Sequence, residues 1–136
     1  MTKIQNFINS LQDRKCYHGE PLEPEALIVA QKYLYNMGLG SIPASYSEFL
    51  KHYNGLKYDG SYLFGATVDD DLDIIDKNEQ MNKPQNCMLL GYNDFDLLCY
   101  NGGKKQYQIV DRSDFAVLET YDENECGSAL SEIFKL

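Results

Sequence analysis

An α+β fold, with helices packed on a central, mainly antiparallel sheet, is what this sequence predicts, and three observations predict it. Apolar residues recur at helical spacing in three stretches before residue 55. From Leu56 the period changes to two, over short apolar runs separated by turn residues. Helical spacing then returns only near the end. Helices first, a run of mostly antiparallel strands and then one helix make the α+β layout.

Each element has its own local reason. Thr2-x-x-Gln5 has capping-box form, and Ile4, Phe7, Ile8 and Leu11 make the apolar face of a first helix. His18-Gly-Glu-Pro-Leu-Glu-Pro breaks the chain. Pro24 starts a second helix, with Leu27, Ala30, Leu34 and Met37 on one face and Gly38 as its stop. Pro43 opens a third, along which Tyr46, Phe49, Leu50 and Tyr53 share a face and Asn54-Gly55 is the expected stop. Asp59-Gly60 between LKY and SYLF is a type I′ hairpin signal, because both turn residues need positive φ. CMLL, FDLLCY, QYQIV and FAVLETY read as further strands, with Asn101-Gly102-Gly103 and Asp111-Arg112-Ser113 as turns. Residues 68–86 hold either a short helix or an irregular crossing loop. Asp122-x-x-Glu125 is the expected cap of a final helix bearing Cys126, Ala129, Leu130, Ile133 and Phe134.

Composition bounds the function. The 136 residues suit one domain, 1–136, with no repeat, low-complexity tract or linker. No apolar run reaches the ~20 residues of a membrane-spanning helix, and the first residues lack the pattern of a secretory signal. Cys16, Cys87, Cys99 and Cys126 form no C-x-x-C pair, so the expectation is reduced structural thiols and a cytoplasmic location. The net charge of −9 is uneven: residues 1–65 balance six acids with six bases, whereas residues 66–100 carry eight acids against two bases. Such a surface repels phosphate backbones and attracts cationic partners. Direct nucleic-acid binding is disfavoured.

The order Ile-Pro, Ser-Tyr, Phe-Leu, Tyr-Asn-Gly, then a strand ending Leu-Phe-Gly, fills Ile42–Gly65 and resembles the signature of the SUKH superfamily. Within it, the chain is most similar to the Smi/Knr branch of cell-wall-assembly regulators and immunity proteins, including YrhA-like members. LGYNDFDLLCY, QYQIVD and the closing acidic helix resemble the same family, which extends the likeness to Leu136. The resemblance implies the SUKH fold. For bacterial members it also implies an immunity protein that neutralises a toxin, often a nuclease, by direct contact. The matching positions Pro43, Tyr46, Phe49, Leu50, Asn54, Gly55 and Gly65 look like fold-makers and transfer no active site.

Motifs with chemical potential are few. Asp69, Asp71 and Asp73 imitate the start of a calcium loop, but Ile74 stands where Gly is needed and Gln80 where a bidentate Glu belongs. Gly38-Leu39-Gly40 follows a helix, whereas a dinucleotide fingerprint follows a strand. His18 and His52 are too few for a metal site, and no cofactor is implied. Asp94 and Asp96 flank Phe95, and strand alternation puts both acids opposite Phe95 and Leu97. Tyr58 and Tyr62 bracket the hairpin turn, and Tyr is enriched at interfaces because it joins a large apolar area to a polar tip.

These readings converge on a non-catalytic, acidic protein-binding domain. Its expected partner is a basic toxin domain met by Asp69, Asp70, Asp71, Asp94, Asp96, Tyr58 and Tyr62. The alternatives are a regulatory interaction module of the cell-wall-assembly type and, third, a hydrolase working through Asp94 and Asp96.

Overall fold

The computed structural model describes residues 3–66 and 71–136. Helix α1 spans Lys3–Leu11, α2 Pro24–Asn36, α3 Ala44–Leu50, α4 Ile74–Gln80 and α5 Cys126–Phe134. The strands are β1 Tyr17–His18, β2 Leu56–Tyr58, β3 Ser61–Leu63, β4 Cys87–Tyr92, β5 Asp96–Asn101, β6 Gln106–Asp111 and β7 Val117–Asp122. All seven form one sheet whose spatial order is the chain order, each strand antiparallel to the next. The α+β layout is therefore as expected. It is a meander.

Several local signals act as their chemistry requires. Gly38 has φ +80°, its N–H bonds to Tyr35 O, and Leu39 N–H bonds to Leu34 O, so α2 ends in a Schellman motif. Asp59 and Gly60 have φ of 51° and 81°, the type I′ turn that joins β2 to β3. Residues 68–86 contain α4, whose N-cap Asp73 accepts from Ile75 N–H at 3.3 Å.

Other expectations are corrected. Helix α3 stops at Leu50, with Lys51 as its C-cap, so Gly55 is not the helix stop; its φ of +97° instead shapes the loop into β2. Tyr53 lies outside the helix, though its N–H still bonds to Phe49 O. A short 3₁₀ turn, Glu123–Glu125, precedes α5, and neither Asp122 nor Glu125 makes a side-chain cap. Thr2 and its capping box lie outside the described residues.

Strand burial is continuous along β4, β5 and β6 and does not alternate. The sheet's two faces explain this. One face meets α5, α1 and α3: Tyr107, Ile109 and Leu98 lie beneath Cys126, Ala129, Leu130 and Ile133, while Phe7 stacks edge-on against Phe134 at 5.7 Å and Phe49 at 5.9 Å. At the edge of β4 beyond β3, Asn78 ties α4 to the backbone of Leu89. A bulge between Leu89 and Gly91 sends Leu90 out of register; Tyr46 OH donates to Phe64 O at 2.5 Å and sits 3.2 Å from Leu90 O, stapling α3 to the bulge. Truncating Phe7, Phe49 or Tyr46 to Ala removes roughly 3–5 kcal/mol of packing.

Candidate functional site

Register builds the site. Tyr17 of β1 faces Lys57 of β2, Lys57 faces Tyr62 of β3, and Tyr62 faces Tyr92 of β4. Residues directly opposite in antiparallel strands point to the same side. A cross-strand row of three tyrosines and one lysine therefore runs over the face away from α5. Tyr62 stacks on Tyr92 with centroids 4.7 Å apart and ring planes 18° apart. Lys57 Nζ lies 5.2 Å from the Tyr17 ring centroid, and the Arg112 guanidinium 5.0 Å from that of Tyr92. Tyr17 is 50% exposed; Tyr62 and Tyr92 are half-buried. Burial and the neighbouring Tyr62 push the Tyr92 phenol up, so it stays neutral.

The β4–β5 turn follows Tyr92 directly. Asn93 Oδ1 accepts from Phe95 N–H at 2.9 Å and Asp96 N–H at 2.8 Å, while its Nδ2 donates to Ile133 O at the end of α5. Arg112 donates from Nη1 to Asn93 O at 2.8 Å and from its backbone N–H to Phe95 O at 3.0 Å. The turn is thereby anchored on three sides, and Phe95 projects from it 76% exposed. The turn thus holds a single aromatic tip out in water.

Sequence reasoning placed the acids differently. Asp69 and Asp70 lie outside the described residues. Asp71 carries its charge against Lys57 Nζ at 2.9 Å, beside the tyrosine row. Asp94 is exposed on the turn and lines a small cleft of about 150 Å³ with Asp59, Ser61, Phe95 and Lys135. Asp96 is buried and lies 3.6 Å from Lys135 Nζ. The alternation expected for YNDFDLL is overturned: β5 begins at Asp96, so Phe95 belongs to the turn, and Asp96 rather than Phe95 is buried. Tyr58 and Tyr62 separate as well. Tyr58 pairs with Ser61, whose hydroxyl donates to Ile133 O, so Tyr58 shares the helix-side face and there receives Arg14 Nη1 at 3.2 Å. The two-residue turn puts 57 opposite 62 and 58 opposite 61, and so puts the two tyrosines on opposite faces.

Tyr17, Lys57, Tyr92, Phe95 and Arg112 were not among the residues expected from sequence. The Asp59-Gly60 turn implies the Lys57–Tyr62 pair, a signal available in the sequence. The Tyr62–Tyr92 pair spans a helix and a loop and has no local signal.

Reactive chemistry is muted elsewhere. Ser45 Oγ and the Tyr107 hydroxyl share a short hydrogen bond beside Cys126, at the base of a cleft lined also by Glu48, His52 and Glu123. Burial pushes the Cys126 thiol up to about 12 against the opposing hydrogen bonds from Tyr107 and Ser45, which keeps it a thiol and a poor nucleophile. All four cysteines are free. Among the described residues no three acidic, Cys or His side chains gather as metal ligands. No helix there is long and apolar enough to cross a membrane. Comparison with protein-family models finds no match, nor does comparison with curated proteins.

Proposed function

We propose that this chain is a binding domain acting without catalysis, an immunity-type protein that neutralises a basic toxin domain by direct contact. The observation that carries the reading is the face from Tyr17 to Tyr92, three cross-strand tyrosines with two cations seated on their rings, next to a turn from which Phe95 projects. Pre-ordered aromatic side chains lose little entropy on contact, and they are the anchors of protein interfaces. The net charge of −9 supplies the complementary term, because it steers a cationic partner and repels an acidic one. The resemblance over Ile42–Gly65 supplies the toxin class.

The test is capture of the partner by pull-down and mass spectrometry, followed by association kinetics and by assay of the partner's nuclease activity. Stoichiometric addition of the chain abolishes that activity on this reading. Tyr62→Ala/Tyr92→Ala raises the dissociation rate at least tenfold. Asp71→Asn/Asp94→Asn slows association instead, and less so at physiological salt, where screening shortens to ~8 Å. A captured partner that keeps full activity, or that binds both double variants as tightly as the parent, sinks the proposal.

A further inference from the structure

The sheet has two edges, and they are built differently. Strand β1 offers two residues, too few to template a further strand. Strand β7 is six residues long, contains no Pro, Gly or Lys, and pairs on one side only, with β6, among the described residues. Its side chains are nearly all exposed, Val117 at 53% and Leu118 at 52%. Ile109 faces Glu119 and Val110 faces Val117, so Leu118 is the extra residue of a bulge, which turns it out beside Val117. From Glu119 to Asp122 the ladder is regular, and its outer backbone N–H and C=O groups face away from β6.

The charge along this edge selects its occupant. Residues 113–134 include Asp114, Glu119, Asp122, Glu123, Glu125 and Glu132, and no Lys, Arg or His. Two of these carboxylates are held by neutral phenols, Glu119 by the Tyr121 hydroxyl and Glu123 by the Tyr100 hydroxyl, which fix position without cancelling charge. Acids at a sheet edge repel an identical edge and attract a basic one. We infer that β7 accepts an extended, lysine- or arginine-bearing segment of a partner protein as an eighth strand, with Val117 and Leu118 receiving its apolar side chains. This goes beyond the aromatic face, which lies at the β1 end of the sheet.

The probe is the peptide Lys-Val-Lys-Val-Lys-Val-Lys, titrated into the isotope-labelled chain by NMR. Amide shifts centred on Glu119, Thr120 and Tyr121, at least tenfold slower hydrogen exchange there and Hα–Hα contacts to the peptide are the expected result. Lys-Pro-Lys-Pro-Lys-Pro-Lys has the same charge but lacks alternate N–H groups, and should bind at least tenfold more weakly; the Glu-Val counterpart should not bind. Leu118→Lys/Glu119→Lys, at exposed positions, should cut binding tenfold with the thermal midpoint unchanged, whereas Tyr62→Ala/Tyr92→Ala should leave it intact. Equal binding of the valine and proline peptides reduces the effect to charge attraction and overturns the inference. So does an absence of β7 shifts, or a dimer in sedimentation that the β7 variant abolishes, which would make a second copy the occupant.

Discussion

Asn54 is the residue on which the most distant parts of the first half meet. Its Nδ2 donates to Ala66 O at 2.7 Å, its Oδ1 accepts from Ala66 N–H at 2.8 Å, and its backbone N–H bonds to Glu20 O. The side chain thus mimics a strand partner for the segment leaving β3. That close approach leaves no room beside Gly65, where a Cβ would stand 2.7 Å from Asn54 C and 2.8 Å from Gly55 N. Backbone cannot give way as a flexible side chain does. Gly65→Ala is expected to cost about 3 kcal/mol in urea denaturation, against about 1 kcal/mol for Gly60→Ala, where only the positive φ is strained. Equal losses would show that Asn54 moves aside. The thiols give a second expectation at this scale. Burial raises Cys99 and Cys126 to about 12, above the ordinary value of 9.0, so the unfolded chain ionises first. Their contribution is full below pH 9 and declines as pH rises from 9 towards 12. The denaturation midpoint should fall across that window, and in the native protein at pH 8 a thiol reagent should reach Cys16 long before the buried Cys87, Cys99 and Cys126. Equal reactivity of all four would contradict the burial.

Helix α4 shows what an element needs besides propensity. Only seven residues long, it is held by Asn78, which donates to Ile74 O at 2.8 Å and Leu89 O at 2.9 Å and accepts from Leu89 N–H at 2.7 Å. Asn78→Ala leaves both Leu89 groups buried without a partner and is expected to destabilise by roughly 2–4 kcal/mol. Asp73→Ala removes a half-buried N-cap bond, at about 1 kcal/mol. If calorimetry finds the order reversed, α4 is anchored by its start and not by β4. This is also why residues 68–86 could not be assigned from sequence: a buried Asn reads as a loop residue until its partners on β4 are known. Helix α2 and the β2–β3 hairpin were legible because Gly38 and Asp59-Gly60 act within their own few residues. The boundary of β5 was not, since Phe95 looks like any strand aromatic until Asn93 and Arg112 hold it in a turn.

At the level of the whole molecule, β2 to β7 were readable in the order of their runs and turns, whereas β1, Tyr17–His18, falls where the sequence reads as a break in the chain and pairs with β2 only after α2 and α3 intervene. The candidate face was only partly readable. Tyr62 was expected, but the row it belongs to exists because β3 joins β4 across α4, and the acids expected beside it are partly spent on Lys57 and Lys135. What closes the molecule is α5. It covers β5 and β6, runs beside β7, packs on α1, and the carbonyl of its Ile133 receives both Ser61 and Asn93. All of that follows the sheet in the chain. As the chain is made from its N-terminus, the helix-side surface of the sheet, with Tyr107, Leu98 and Ile109 on it, is complete before α5 can cover its share of it. A chain ended at Asp122 should bind a hydrophobic dye and pellet where the chain with α5 stays in the supernatant, and a soluble, dye-silent truncation would contradict this. During synthesis the protein therefore passes through an interval in which part of an apolar face waits for its cover, and the length of that interval is set by how quickly the ribosome delivers α5.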